Sequence, residues 1–403
     1  MYKSEFLRTL EERGHIHQVT DGEALDTAAC AGIVTAYIGY DLTARSLHVG
    51  NLATIMLLRR LQQAGHRPIV LLGGGTSRVG DPSGKDSQRQ LLSDADIAAN
   101  RASIRTVFER FLSFDDGPQG ALMLDNADWL LKLELIPFLR ETGRHLSVNR
   151  MLSMDSVRLR LEREQPLSFL EFNYMALQAH DFVELFRRHG CTLQMGGSDQ
   201  WGNIVMGVDL GRRVANASLF GLTTPLVTTA DGAKMGKTAR GAVWLNPDML
   251  ADWDYWQFWR NVDDRDVGRF LKLFTDLPMD EVQRLEALGG AEINAAKVAL
   301  ANAATALCRG EAAARAAAAT AAATFGEGGA GEALPRAAVA FPIPLVEALT
   351  AAGLAASRGE ARRKIAEGAV RIDGEVILDP QAEVAGPAKL SLGKKRHALL
   401  EKA

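Results

Sequence analysis

Cysteine is scarce in this sequence: Cys30, Cys191 and Cys308 are odd in number and far apart. No two have C-x-x-C spacing, which argues against a zinc site or a disulfide framework. A reducing compartment, the cytoplasm, fits that usage. A surplus of one charge is missing as well. Lys and Arg total 46 against 49 Asp and Glu, for a net charge of −3. No global field therefore announces nucleic acid, although a local basic surface still can. No run of about 18 apolar residues occurs, so no transmembrane helix is expected. Met1-Tyr2-Lys3-Ser4-Glu5-Phe6 holds no apolar core of the kind a secretory signal needs. Internal repeats are also missing. What is present is ordinary for a globular protein: 47% apolar and 24% charged residues,. A chain of 403 residues exceeds one ordinary core and implies two or three domains,.

The order of apolar runs suggests strands alternating with helices. Strands are expected at Gly32–Ala36, Arg67–Leu72, Ala121–Asn126, Thr192–Met195 and Pro225–Thr228. Residues 1–30 read as helical, as do the stretches after His48, over Ala95–Leu112 and over Ser168–Phe186. The expected fold is α/β, a Rossmann-like doubly wound parallel sheet. In such sheets ligands sit beyond the carboxyl ends of the strands. The polar, Gly-rich stretches of this chain all follow strands. From about Pro247 to Ala323 the pattern turns helical. Residues 309–331, rich in Ala and Gly, read as a helix tail and flexible linker.

Five groups are candidates for chemistry. His48-Val49-Gly50-Asn51 falls where a helix should begin after a strand, with free backbone N–H groups and a positive dipole end. Such a start holds nucleotide phosphate, and His48, Asn51 and the nearby Thr43 are all able to donate to it. Lys234-Met235-Gly236-Lys237-Thr238 reads either as solvated charge or as a closing loop that neutralises departing pyrophosphate. Gly80-Asp81-Pro82-Ser83-Gly84-Lys85 lacks P-loop spacing. It is either a plain turn or a place where Lys85 and Arg89 meet phosphates and Asp81 meets a cation. Tyr174, Gln178 and Asp181, at spacings of four and three, share one helix face. That face is a polar outer stripe or, since Phe172, Leu177, Phe182 and Leu185 make the helix largely buried, a set of groups needing partners. Gly196-Gly197-Ser198-Asp199-Gln200 ends a strand, where an Asp commonly accepts ribose hydroxyls.

In this order the pieces closely resemble the bacterial-type tyrosyl-tRNA synthetases, which are class I aminoacyl-tRNA synthetases. His48–Asn51 is similar to the first class signature, usually His-Ile-Gly-His, and Lys234–Thr238 to the second, usually Lys-Met-Ser-Lys-Ser. Tyr37-Ile38-Gly39-Tyr40-Asp41, Gly80–Lys85 and Gly196–Asn203, with Tyr174, Gln178 and Asp181, are more specific. Asn51, Gly236 and Thr238 depart from the signatures, and Ile38 and Leu42 stand where Cys and Pro are common. The resemblance implies activation of L-tyrosine by ATP to tyrosyl-adenylate, then transfer to the 3′ end of tRNA(Tyr). It implies Tyr37 and Asp181 on the substrate phenol, Asp81, Tyr174 and Gln178 around its ammonium, and Gln200 near its carboxylate. It assigns Gly39, Asp41, His48, Gly50, Asn51, Gly197, Asp199, Lys234 and Lys237 to ATP. Thr43, His48, Asn51, Lys85, Arg89, Lys234 and Lys237 then serve the reaction at the phosphates. Magnesium arrives with ATP, no tightly bound cofactor is implied, and the family's members are homodimers.

The last stretch is short, mixed and basic. Arg358, Arg362, Arg363 and Lys364 cluster on one expected helix, Arg371 follows in Val-Arg-Ile, and Lys394, Lys395 and Arg396 come near the end. This resembles the S4-like RNA-binding module and favours phosphate contact over a merely solvated face. The expected domains are 1–246 catalytic, 247–325 helical and of anticodon-binding type, 326–340 a linker, and 341–403 a small α+β S4-like domain. The rival readings are a tryptophan-specific class I synthetase, a small-molecule nucleotidyltransferase and a non-enzymatic RNA-binding protein.

Overall fold

Six strands form the sheet that carries the site: β1 (Gln18–Val19), β2 (Thr35–Tyr40), β3 (Arg67–Leu72), β4 (Leu122–Asp125), β5 (Leu193–Gly197) and β6 (Phe220–Thr224). The computed structural model describes residues 1–83, 92–238, 241–326, 334–393 and 396–403. The strand order is β1-β6-β5-β2-β3-β4. Strands β2 to β6 are mutually parallel, and β1 runs antiparallel to β6 at the edge. The chain winds outward from β2 in one direction and from β5 in the other. The β2–β5 seam is therefore the switch point, where a crevice opens at the strand ends.

Helices alternate with these strands because each long helix hides an apolar stripe. Val49–Gln63 buries Leu52, Ile55, Met56 and Leu58. Phe169–His189 opens on a capping box between Ser168 and Glu171 and stops at Gly190 in the left-handed region,. Among its buried residues are Tyr174 and Asp181, so its polar positions do not form an outer stripe. Between these elements lies a cluster of Tyr37, Ile69, Leu71, Trp129, Phe182 and Leu185.

Several expectations need correction. Residues 1–30 are two helices, Glu5–Glu12 and Gly22–Ala31, with β1 between them. Gly14 at φ +75 breaks the first, and Asp21 caps the second. Strand β2 starts at Thr35, not Gly32, and runs through Tyr40. The Ala-rich stretch forms a continuous helix, Glu311–Gly326, as expected of the best helix former.

Beyond β6 come a short hairpin, β7 (Lys237–Thr238) with β8 (Gly241–Ala242), and the helices Asp252–Arg260, Val267–Phe274, Met279–Glu286 and Ile293–Arg309. The remaining strands are β9 (Arg336–Val339), β10 (Ile343–Pro344), β11 (Val370–Ile372), β12 (Glu375–Ile377), β13 (Glu383–Val384), β14 (Ala388–Leu392) and β15 (Arg396–Lys402). Five of them make a sheet in the order β12-β11-β14-β15-β9. Leu345, Leu349, Ile365, Val370, Leu390 and Leu400 fill its core. Strand β9 thus lies within the stretch that reads as a linker. The chain divides into two compact units, 1–249 with 262–296, and 250–261 with 297–403. The helical segment from 247 to 325 is shared between them. Among the described residues no helix is long and apolar enough to cross a membrane.

Candidate active site

The first feature at the switch point is a buried phenol. Tyr37 lies in mid-β2, about 1% exposed, and its hydroxyl meets no hydrogen-bond partner among the described residues. Burial, reinforced by the charge of Asp181, raises its pKa well above the usual value. Asp181 is also buried. Its carboxylate accepts from Trp129 Nε1 at 2.7 Å and from Asn126 Nδ2 at 2.9 Å. Burial pushes the Asp181 pKa up to about 7, with these two hydrogen bonds working the other way. A buried carboxylate beside an unpaired phenol hydroxyl is a pair built for one more donor–acceptor group.

Asn126 ties Asp181 to the turn after β3. Its Nδ2 also donates to Thr76 Oγ1 at 3.1 Å, and its Oδ1 accepts from Gly75 N at 2.8 Å. Thr76 donates on to Asp41 at 2.8 Å, and Asp41 accepts from the Tyr174 hydroxyl at 3.1 Å. Burial comes first among the causes that raise the Tyr174 pKa well above its usual value, followed by the charges of Asp41, Asp81 and, more weakly, Asp181. Three acidic groups therefore bear on one spot, which suits a cation such as an ammonium. Asp41, expected on the ATP side, has its carboxylate bonded at this spot.

A second network adjoins it. Gln200 Nε2 donates to Asp81 at 2.8 Å, and Ser83 N donates to the other Asp81 oxygen at 2.9 Å. Asn203 Nδ2 bridges Gln178 Oε1 at 3.0 Å and Gln200 Oε1 at 3.1 Å. Asp81, Gln178 and Gln200 are thus brought together through Asn203. Gly197 and Asp199 follow at the end of β5, with Asp199 exposed.

The helix start after β2 is built as its sequence suggests, with one difference. His48 is the N-cap, and its Nδ1 accepts from Gly50 N at 3.0 Å. The ring hydrogen of the neutral imidazole therefore sits on Nε2. Asn51 is not simply a free donor: its Oδ1 accepts the His48 N–H at 3.1 Å and closes a capping box. Leu42, where the resemblance expects Pro, donates its N–H to Ser77 Oγ at 2.7 Å, a bond a proline has no hydrogen to make. Gly39 faces open space, with nothing within 4 Å of a Cβ placed there, and Thr43 is exposed.

The second lysine loop closes directly on this cap. Gly236 sits at φ +102, where a Cβ would lie 2.7 Å from both Gly50 N and His48 Nδ1. Val243 N donates to Gly236 O at 3.0 Å, and Val49 N to Val243 O at 2.9 Å. The Trp244 ring meets the His48 ring edge-on at 6.2 Å. Lys234 is exposed and bridges Thr228 through the backbone. Lys237 lies on β7. Lys85 and Arg89, and in the tail Lys394 and Lys395, lie outside the described residues.

Of the remaining basic residues, Arg358 pairs with Glu347 at 3.0 Å and Lys364 with Glu367 at 2.6 Å, while Arg363 reaches Glu367 at 3.8 Å. Arg362 and Arg371 are exposed, and Arg396 donates to Gly353 O. Sequence reasoning missed Thr76, Asn126, Trp129, Asn203 and Trp244 as parts of the site. The available signal was position: Thr76 and Asn126 are polar residues shortly after β3 and β4, where the switch-point rule places ligand groups.

Comparisons with known proteins agree on one family. Residues 31–326 match the model for tRNA synthetases class I (W and Y). Residues 329–399 match the model for the Tyrosine–tRNA ligase SYY-like C-terminal domain. The chain is 64% identical over 406 residues to the Tyrosine–tRNA ligase of Novosphingobium aromaticivorans, covering 100% of this chain and 99% of that one. It is 61% identical over 404 residues to that of Zymomonas mobilis, covering 99% of each. A solved structure, the C-terminally truncated mitochondrial tyrosyl-tRNA synthetase of Aspergillus nidulans, matches with a TM-score of 0.71 at 32% identity, over 78% of this chain and 93% of that one. The tryptophanyl-tRNA synthetase of Encephalitozoon cuniculi bound to tryptophan shares the fold, with a TM-score of 0.56 at 13% identity over 77% of this chain and 87% of that one.

Proposed function

The chain belongs to the class I tRNA synthetases of the tryptophan and tyrosine group, and from that premise we propose how its residues perform tyrosine–tRNA ligation. The reaction uses ATP to activate L-tyrosine and then charges tRNA(Tyr). The observation that carries the choice of amino acid is the orphan Tyr37 hydroxyl beside buried Asp181. A phenol satisfies both groups, whereas a phenyl ring leaves both desolvated and unpaired.

In this reading the substrate ammonium lies among Asp81, Tyr174 and Gln178, with Asp41 completing the acidic surround. Gln200, held by Asn203, faces the carboxylate. That carboxylate attacks the α-phosphorus of ATP, the adenylate forms and pyrophosphate leaves. Gly39, Gly50, Gly197 and Asp199 border the nucleotide. Nε2–H of His48, Thr43 and the lysines 85, 234 and 237 with Arg89 offset the charge growing on the leaving group. Asn51 acts by fixing His48. Magnesium comes with the ATP phosphates. In the second step a hydroxyl of the terminal tRNA ribose attacks the tyrosyl carbonyl and AMP departs. Placement and charge stabilisation are sufficient, so no covalent enzyme intermediate is assigned.

We assign residues 341–403 to tRNA contact as an S4-like module, and 247–325 to a helical, anticodon-type role. The self-contained core of the tail and its exposed Arg362 and Arg371 support the first assignment. A homodimer is supported by the exposed apolar side chains Leu131, Leu135, Ile136, Leu139 and Phe169, the last 81% exposed,. We assign the enzyme to the cytoplasm, a reducing compartment that suits its three free cysteines,. ATP–pyrophosphate exchange measured with each of the protein amino acids tests the reading. Exchange should depend on tyrosine, and exchange with another amino acid alone would overturn it.

A further inference from the structure

Lys234 sits on a hairpin whose two feet are held by different parts of the chain. The feet pair with each other: Thr228 bridges Lys234, and Met235 N donates to Val227 O at 2.9 Å. Thr229 N to Ala233 O, at 2.8 Å, closes the tip. The outgoing foot, Met235-Gly236, packs on His48 and Gly50. The incoming foot and the start of the tip are grasped by residues more than thirty positions later. Ala230 N donates to Asp266 Oδ2 at 2.8 Å. Arg269 donates to the Thr228 carbonyl and also to Asp266 Oδ1, the latter at 2.7 Å.

We propose that Asp266 and Arg269 form a clasp that positions Lys234 for the adenylation step. The inference rests on the assignment of Lys234 to the leaving pyrophosphate. Asp266 is buried, and a buried carboxylate is retained only where its oxygens are paired,. One oxygen takes the loop's own N–H and the other takes Arg269. Arg269 in turn holds the carbonyl of Thr228, the residue that Lys234 bridges. The clasp therefore acts on the backbone of the lysine's direct partner and touches no substrate itself. Its outer side borders a cavity of about 400 Å3 lined by Leu226, Val227, Arg265, Gly268 and Arg269, among others. Shortening Arg269 therefore removes hydrogen bonds without emptying a packed core.

The test is a double-mutant cycle on tyrosine-dependent pyrophosphate exchange. The variants are D266N, R269A and K234A, singly and in pairs, in the full-length enzyme. D266N and R269A should each lower kcat by about 10- to 100-fold, the cost of misplacing a reacting group by an ångström or less. Tyrosine affinity should hold within about twofold, because the phenol and ammonium sites are built from other elements. In the K234A background, adding either change should cost less than about threefold more, since the residue it positions is already gone. R269K, which keeps the charge and one donor, should recover part of the rate lost by R269A. Additive losses, or tyrosine affinity falling in step with kcat, would overturn the clasp. If D266N does not fold, R269A and R269K carry the same cycle through a half-exposed residue. A K234A enzyme with full exchange would instead overturn the role of Lys234, and the clasp with it.

Discussion

In the proposed reading the Tyr37 hydroxyl and the Asp181 carboxylate set the selectivity of this site, and each makes a separate prediction. Tyr37→Phe removes a buried hydroxyl with no hydrogen-bond partner among the described residues, the one proposed to meet the substrate phenol. The variant should activate tyrosine less well and lose discrimination against phenylalanine by about tenfold or more, read as the ratio of kcat/KM values. Undiminished discrimination would remove Tyr37 from its role. Asp181 predicts a pH effect. Its carboxyl has an ordinary pKa near 3.8 and is pushed up to about 7 in the fold. The folded state therefore holds a proton that the unfolded chain has released between those values. Stability of the ligand-free enzyme should fall as pH rises across that window and level off above it. Asp181→Asn should flatten this contribution in melts recorded from pH 5 to 8. Both residues were legible in the sequence, Tyr37 through its motif and Asp181 through its helical spacing from Tyr174 and Gln178. Asn126, Thr76 and Asn203 were legible at most by position, not by role. Their importance comes from contacts across 50, 35 and 25 residues of chain, and no local pattern records such a neighbour.

At the scale of elements, the two signature segments are one structure. The cap of the Val49–Gln63 helix and the Gly236 turn fill each other's space, and the Cβ distances at Gly236 leave no room for a side chain. Gly236→Ala would add both a steric clash and the strain of a positive φ, the latter costing on the order of 1 kcal/mol. The loop has to retreat from His48. Pyrophosphate exchange should slow by about tenfold or more, with tyrosine binding intact. Equal rates would show that the turn opens without cost. The sequence displayed both signatures, but not their contact. It also placed the fifth expected strand a few residues too late, at Pro225–Thr228, directly after the observed strand. The apolar Leu226 and Val227 resemble a strand. Yet proline donates no ladder hydrogen bond, and the pairing ends at Thr224,. The strand lies in the Phe220–Thr224 run, where the β-branched neighbours Thr223 and Thr224, on opposite faces of the sheet, are both buried,.

On the scale of the whole molecule, the residues proposed for chemistry and those proposed for tRNA contact lie on different stretches of chain. Every residue assigned to tyrosine or ATP and described here belongs to the first compact unit, and the basic tail belongs to the second. The tail's cations are not equivalent. Arg358, Arg363 and Lys364 are engaged by Glu347 and Glu367, so a phosphate must compete with a carboxylate for each. Arg362 and Arg371 are exposed, and Arg371 reaches only the Gly374 carbonyl among the bonds described. Those two should contribute most to tRNA affinity. Replacing both with Ala should weaken tRNA binding and reduce the slope of log affinity against log salt by about one per lost phosphate contact. Tyrosine-dependent pyrophosphate exchange, which needs no tRNA, should keep its rate. A variant that binds tRNA with an unchanged salt slope would move the phosphate contacts off this face. One that loses exchange would tie the tail to the first step, against the division of labour drawn here.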